Sequence, residues 1–195
     1  MPLLAAGRGG GPHLSFPRAL IGAALLAFAS CNSQTASGHQ PASIQGTSTP
    51  SSTGFTLTSP GLQGGRWPPE ATCDGSDSPP DFHWTAGPAA TASYAIQVFD
   101  PDASNGGFTH WMLANEPPSL RGLTPRTGIS GRNDFGNEGY KGPCPPHGSA
   151  HHYVVTAFAV DTMLTLQPLY SRAQFQAALA SHVLAQSSIT AIYSR

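Results

Sequence analysis

The alternation of apolar and polar side chains changes character near residue 54. From there to the end, short apolar stretches alternate with long turn-rich ones. Ser93–Asp100 (SYAIQVFD) puts Tyr94, Ile96 and Val98 on one face and Ala95, Gln97 and Phe99 on the other, the period-two pattern of a strand. Residues 153–160 (YVVTAFAV) are apolar on both faces, as a central strand would be. Residues 55–57 and 188–193 are shorter strand candidates. One helix is predicted: Ser171 can cap it, and Phe175, Leu179 and Val183 recur at four-residue spacing. Between these elements lie SDSPPD (76–81), DPDASNGG (100–107) and GPCPPHG (142–148). Several strands, one helix and long ordered loops predict a mainly β, sandwich-type domain with a peripheral C-terminal helix, and loops of this length carry function.

The first 53 residues read differently. Arg8 and Arg18 precede an uncharged, largely apolar run of twelve (19–30), too short to span a bilayer but of the length found in a signal peptide. The run ends at Phe28-Ala29-Ser30-Cys31, which resembles the bacterial lipobox, with Cys31 as the lipidated residue. The alternative is an ordinary secretory signal cleaved elsewhere. Residues 32–53 hold ten Ser/Thr, no formal charge and one large aliphatic side chain, Ile44. Such a segment buries too little apolar surface to offset its ordering entropy, so it is expected to be a disordered tether. The organisation is therefore a signal peptide of lipoprotein type (1–30), a tether (31–53) and a folded domain (54–195). The expected location is that of an exported lipoprotein facing the periplasm. Asn32, where an Asp would retain the protein at the inner membrane, favours the outer one.

Charge narrows the function classes. Charged residues are 10% of the chain, and Gly (22) and Pro (19) are abundant. After residue 30 there are seven Lys/Arg against ten Asp/Glu, a formal charge of −3. A nucleic-acid binder would carry a basic patch, so that class is excluded.

The candidate chemistry lies in the loops. In Asp100-Pro101-Asp102, proline fixes its own φ and pushes the preceding residue to an extended conformation, so two carboxylates flank a rigid turn. A carboxylate beside an imidazole orients the ring and favours its charged form. Histidines and a tyrosine hydroxyl together would offer donors to a phosphate or carboxylate. Taken alone, each piece is also compatible with a plain turn or a packing residue. His110, His147, His151 and His152 are metal-ligating types, but His151 and His152 are adjacent and would face opposite sides of a strand; HExxH and CxxC are absent. No metal site and no cofactor are expected. There is no GxSxG elbow for Ser104, and the two carboxylates share one turn instead of facing each other across a cleft.

Taken in order, Asp100-Pro101-Asp102-Ala103, Thr109-His110-Trp111 and Gly142-Pro143-Cys144-Pro145-Pro146, leading to His151-His152-Tyr153, resemble the phosphatidylethanolamine-binding proteins. Within that family the chain looks like the bacterial YbhB/YbcL, or Raf kinase inhibitor-like, subgroup. Ala71-Thr72-Cys73-Asp74-Gly75, Ser78-Pro79-Pro80 with Trp84, and Gly131-Arg132-Asn133 through Gly139-Tyr140 extend the resemblance over essentially all of 54–195. It implies an antiparallel β-sandwich with a small anion pocket lined by Asp100, His110, His151 and Tyr153. Gly142 and Pro143 would contribute backbone, and Asp102 would stand just behind. His152 departs from the usual His-Arg-Tyr, removing a permanent positive charge. Trp84, Trp111, Phe82 and Phe108 are read as packing residues.

Export also bears on the cysteines. With Cys31 set aside for lipid, Cys73 and Cys144 remain as a pair, either disulfide-bonded or two separate buried thiols, and the Cα separation decides. The expected function is non-catalytic binding of a small anion, such as a phospholipid head group or a phosphorylated partner. The alternative is an exported hydrolase, or an inhibitor of exported hydrolases, using the same His/Asp pocket. A homodimer is compatible with the resemblance, though no residue demands one.

Overall fold

The computed structural model describes residues 54–123 and 127–195; the leader, Cys31 and the Ser/Thr-rich tether lie outside them. The elements are β1 (Leu57–Thr58), β2 (His83–Trp84), β3 (Ser93–Asp100), β4 (Phe108–Glu116), β5 (Ile129–Ser130), β6 (Ala150–Val160), α1 (Arg172–Leu179) and β7 (Val183–Ser194). They form a five-stranded antiparallel sheet, ordered β5-β4-β3-β6-β7, and a two-stranded sheet of β1 and β2.

The large sheet buries both of its faces. On one, Tyr94, Ile96 and Val98 of β3 pack with Trp111, Leu113, Tyr153 and Val155 against Phe55, Leu57, Trp67, Phe82 and Trp84. On the other, Ala95, Met112, Ala114 and Val160 pack with Leu164, Tyr170, Phe175 and Leu179 of the helical layer. The two faces of β3 are those its alternation predicts. Trp84, Trp111 and Phe82 are core residues, as read from the sequence.

β4 is a strand the periodicity did not single out. FTHWMLANE is buried on both faces over most of its length, so apolar and polar positions do not alternate along it. α1 begins at a capping box: the Ser171 hydroxyl accepts from the Gln174 backbone N–H (3.3 Å), and Gln174 Oε1 accepts from the Ser171 N–H (2.8 Å). The helix stops before Val183. Ala180 has already left the helical region (ψ 126°), Ser181 adopts φ 69°, and Val183 opens β7. Val183 still packs on the helix-side cluster, so the four-residue spacing reported a shared buried side rather than a continuous helix. β7 is correspondingly longer than the 188–193 stretch suggested, and pairs with β6 over most of its length.

Cys73 and Cys144 are disulfide-bonded, with Cα atoms 5.4 Å apart. The bond joins the 72–75 turn to the 142–148 loop, beside a backbone bond from the Cys73 N–H to the Pro143 carbonyl (3.1 Å).

Candidate functional site

The site forms where β3, β4 and β6 end together and two loops fold over them. At the end of β3 the Asp-Pro-Asp turn closes on its own first carboxylate: Asp100 Oδ1 accepts from the N–H groups of Asp102 (2.8 Å) and Ala103 (3.1 Å). Asp100 Oδ2 accepts from His151 Nδ1 at 2.7 Å. The second carboxylate serves the next histidine. Asp102 Oδ2 accepts from both the backbone N–H and the Nδ1 of His152, each at 2.7 Å. Adjacent β6 residues point to opposite sides, so one rigid turn grips the strand from both. The His152 backbone N–H holds the Asp102 carboxyl below its ordinary range, as do its ring and charge.

His110 owes its position to a β-bulge. Val98 pairs with Trp111 and Phe99 with Thr109, so His110 is the extra residue of β4. A bulge re-aims a side chain, and here neighbouring residues serve one face: Trp111 joins the core cluster containing Tyr153, while the His110 ring also meets the Tyr153 ring edge-on at 5.2 Å. His110 Nδ1 lies 2.7 Å from the Lys141 carbonyl and 3.1 Å from that of Gly142. Carbonyls only accept, so Nδ1 carries a proton and Nε2 is the variable position. His110 is 3% exposed, and burial lowers its pKa despite these carbonyls and the nearby Asp100 charge.

Tyr153 is fully buried, and its hydroxyl has no hydrogen-bond partner. Burial, with the Asp100 and Asp102 charges, pushes its pKa up, so it is a neutral donor.

These groups line one cavity of about 390 Å3, within the range of small-molecule sites. Asp100, Asp102, His110, His151 and Tyr153 all contribute to its wall, Asp102 more directly than expected. Gly142 and Pro143 do not belong to that wall. Gly142 is packed too tightly to reach it, its N–H donating to Asp77 Oδ1 (2.6 Å), and a Cβ there would lie 2.2 Å from the Ala71 carbonyl oxygen. The loop reaches the cavity one residue later, through Cys144, Pro145 and Pro146. His152 is also outside the wall, so its replacement of an arginine changes the grip on Asp102 rather than the charge facing the cavity. Phe108, read as packing, lines the cavity instead. With Phe135 it forms an aromatic side, their rings 4.7 Å apart. Nothing in the sequence pattern marks Phe135, which lies in an irregular loop and is 40% exposed.

The profile of the phosphatidylethanolamine-binding protein family matches residues 58–194. The chain belongs to this family. It is 32% identical over 190 residues to Escherichia coli YbcL, covering 90% of this chain and 98% of that protein. A UPF0098 protein of Methanothermobacter thermautotrophicus is 37% identical over 140 residues, covering 67% of this chain and 92% of its own length. A Mycobacterium tuberculosis relative with a lipoprotein name, LppC, is 33% identical over 153 residues, covering 75% of this chain and 76% of its own. Among solved structures, E. coli YbcL superposes with a TM-score of 0.68 at 30% identity, covering 73% of this chain and 99% of that one. The family homologue CT736 of Chlamydia trachomatis gives 0.69 at 27%, covering 74% and 99%.

Proposed function

We propose that this family member binds a small phosphate-type anion, free or as a phospholipid head group, without turning it over. The observation that carries the reading is the Tyr153 hydroxyl, a buried donor without a protein partner in the wall shared by His110 and His151. Leaving such a donor unsatisfied costs about 1–3 kcal/mol, which an acceptor oxygen entering the cavity would recover. His151, anchored through Nδ1 to Asp100, keeps Nε2 as its second hydrogen-bonding position, and a protonated His110 would add another donor. The binding reading is favoured over hydrolysis by the carboxylates themselves. Asp100 and Asp102 each hold a histidine from one turn and do not oppose each other across the cavity.

The setting is an exported, lipid-anchored protein facing the periplasm, with residues 1–30 as leader and 31–53 as tether. The disulfide suits an oxidising compartment, and the relative named as a lipoprotein suits an anchor at Cys31. Calorimetric titration of the purified protein with inorganic phosphate and phosphorylethanolamine, at pH 5.5 and 7.5, tests the ligand. Heat that is larger at the lower pH and abolished by His110→Ala supports it, and flat traces at both pH values reject it. Fatty-acid labelling that disappears in Cys31→Ala tests the anchor.

A further inference from the structure

The disulfide is placed in unlike surroundings at its two ends. Cys144 lines the cavity, and the Arg195 guanidinium lies against it, Nη1 to Sγ 3.4 Å. Cys73 is half-buried and is followed directly by Asp74. Asp74 takes the other side of Arg195 (Nη2 to Oδ1, 3.0 Å) and accepts the Tyr193 hydroxyl on Oδ2 (2.6 Å). The Tyr193 bond, then the Arg195 charge, hold the Asp74 carboxyl below its ordinary range, with His147 adding a smaller effect, so it is charged at neutral pH. The guanidinium therefore lies against the Cys144 sulfur, while Cys73 is followed in the chain by the carboxylate that pairs with that guanidinium.

A thiolate is stabilised beside a cation and destabilised beside an anion, and the better-stabilised thiolate is the better leaving group in thiol–disulfide exchange. We propose that Cys73–Cys144 is a directional thiol–disulfide exchange site: a small thiol or dithiol attacks Cys73, and Cys144 leaves as a thiolate held by Arg195. In the first step the reductant's thiolate forms a bond to Cys73 Sγ. The Cys73–Cys144 bond breaks, and its electron pair goes to Cys144 Sγ. A second thiolate then attacks the reductant's sulfur in the mixed disulfide and releases Cys73, which takes a proton from solvent. Two electrons enter the protein, and the reductant leaves as a disulfide. The product frees the Cys144–Pro146 cavity wall from the 72–75 turn, which keeps the Cys73 N–H bond to Pro143. The exchange does not rest on the anion reading of the cavity, although Cys144 belongs to its wall.

The test uses the purified protein in a Cys31→Ser background, so that Cys73 and Cys144 are the only cysteines. With the disulfide intact, the protein is exposed to glutathione, quenched in acid and mapped by mass spectrometry. The adduct is expected on the Cys73 peptide, and an adduct mainly on Cys144 overturns the proposal. In Cys73→Ser, the Cys144 thiol is titrated by its thiolate absorbance and alkylation rate. Half-titration is expected at least one unit below the free-cysteine value of about 8.5, giving roughly threefold faster alkylation at pH 7 once the lower nucleophilicity of a less basic thiolate is counted, and Arg195→Gln should return it upward. A Cys144 that titrates at or above 8.5, or does not respond to Arg195→Gln, also overturns it. The adduct arm requires no cysteine-pair variant to fold.

Discussion

Tyr153→Phe separates a binding hydroxyl from a structural one, because the two roles predict opposite signs. The substitution keeps the ring and its contacts with Trp67 (5.7 Å between centroids) and His110 (5.2 Å). It deletes a hydroxyl that is fully buried and has no protein partner. In the unliganded protein it therefore removes a desolvation penalty and breaks no bond within the fold. Stability should be unchanged or higher by about 1 kcal/mol, roughly 2–4 °C in melting temperature for a domain of this size. With phosphate bound, the same change removes a hydrogen bond to a charged acceptor, about 1.5–3 kcal/mol, or roughly 10- to 150-fold in affinity. Melting curves with and without phosphate, together with calorimetric titration, read both quantities. A variant clearly less stable without ligand would show that the hydroxyl serves the fold. An unchanged affinity would show that the anion does not meet it, and either result refutes the reasoning.

Three further outcomes follow from the same geometry. Burial depresses the His110 pKa in the folded state, so the unfolded chain binds the proton more readily there. The associated stability is complete above the ordinary histidine value of about 6.5 and is lost as pH falls below it, so unliganded melting temperatures should drop between pH 7 and 5 less steeply in His110→Gln than in the parent. Reducing the disulfide reopens a loop spanning a sequence separation of 71, worth about 4 kcal/mol in the chain-entropy model. Melting with and without dithiothreitol should differ by roughly 10 °C. Gly107→Ala should be destabilising by about 2 kcal/mol or more in urea titration, because Gly107 has φ 89° and a Cβ there would lie 2.2 Å from Phe99 Cζ. The turn that positions Asp100 and Asp102 would deform with it.

The sequence alone determined the features that are local or patterned. The alternation of Ser93–Asp100 assigned the two faces of β3, and Ser171 caps the start of α1 as read; its reciprocal partner Gln174 is seen only in the structure. Asp100-Pro101-Asp102 specified a rigid turn with two carboxylates. The order of the loop motifs pointed to the family, and four residues of those motifs, Asp100, His110, His151 and Tyr153, line one cavity in the fold. Tertiary structure decided what depends on contacts distant in sequence. β4 shows no alternation because both of its faces are covered, so its strand character was not visible in the pattern. The bulge that turns His110 toward Tyr153 exists only in the register between β3 and β4. That same burial, rather than residue type, lowers the His110 pKa. Gly142 and Pro143 support the cavity while Cys144, Pro145 and Pro146 line it, an offset set by the anchoring of Gly142 to Asp77. The paired cysteines needed a Cα separation, and the cation against one sulfur needed the end of β7 to return beside the 142–148 loop. A pattern reports which side of an element is buried; packing decides what covers it, and so which groups keep their protons.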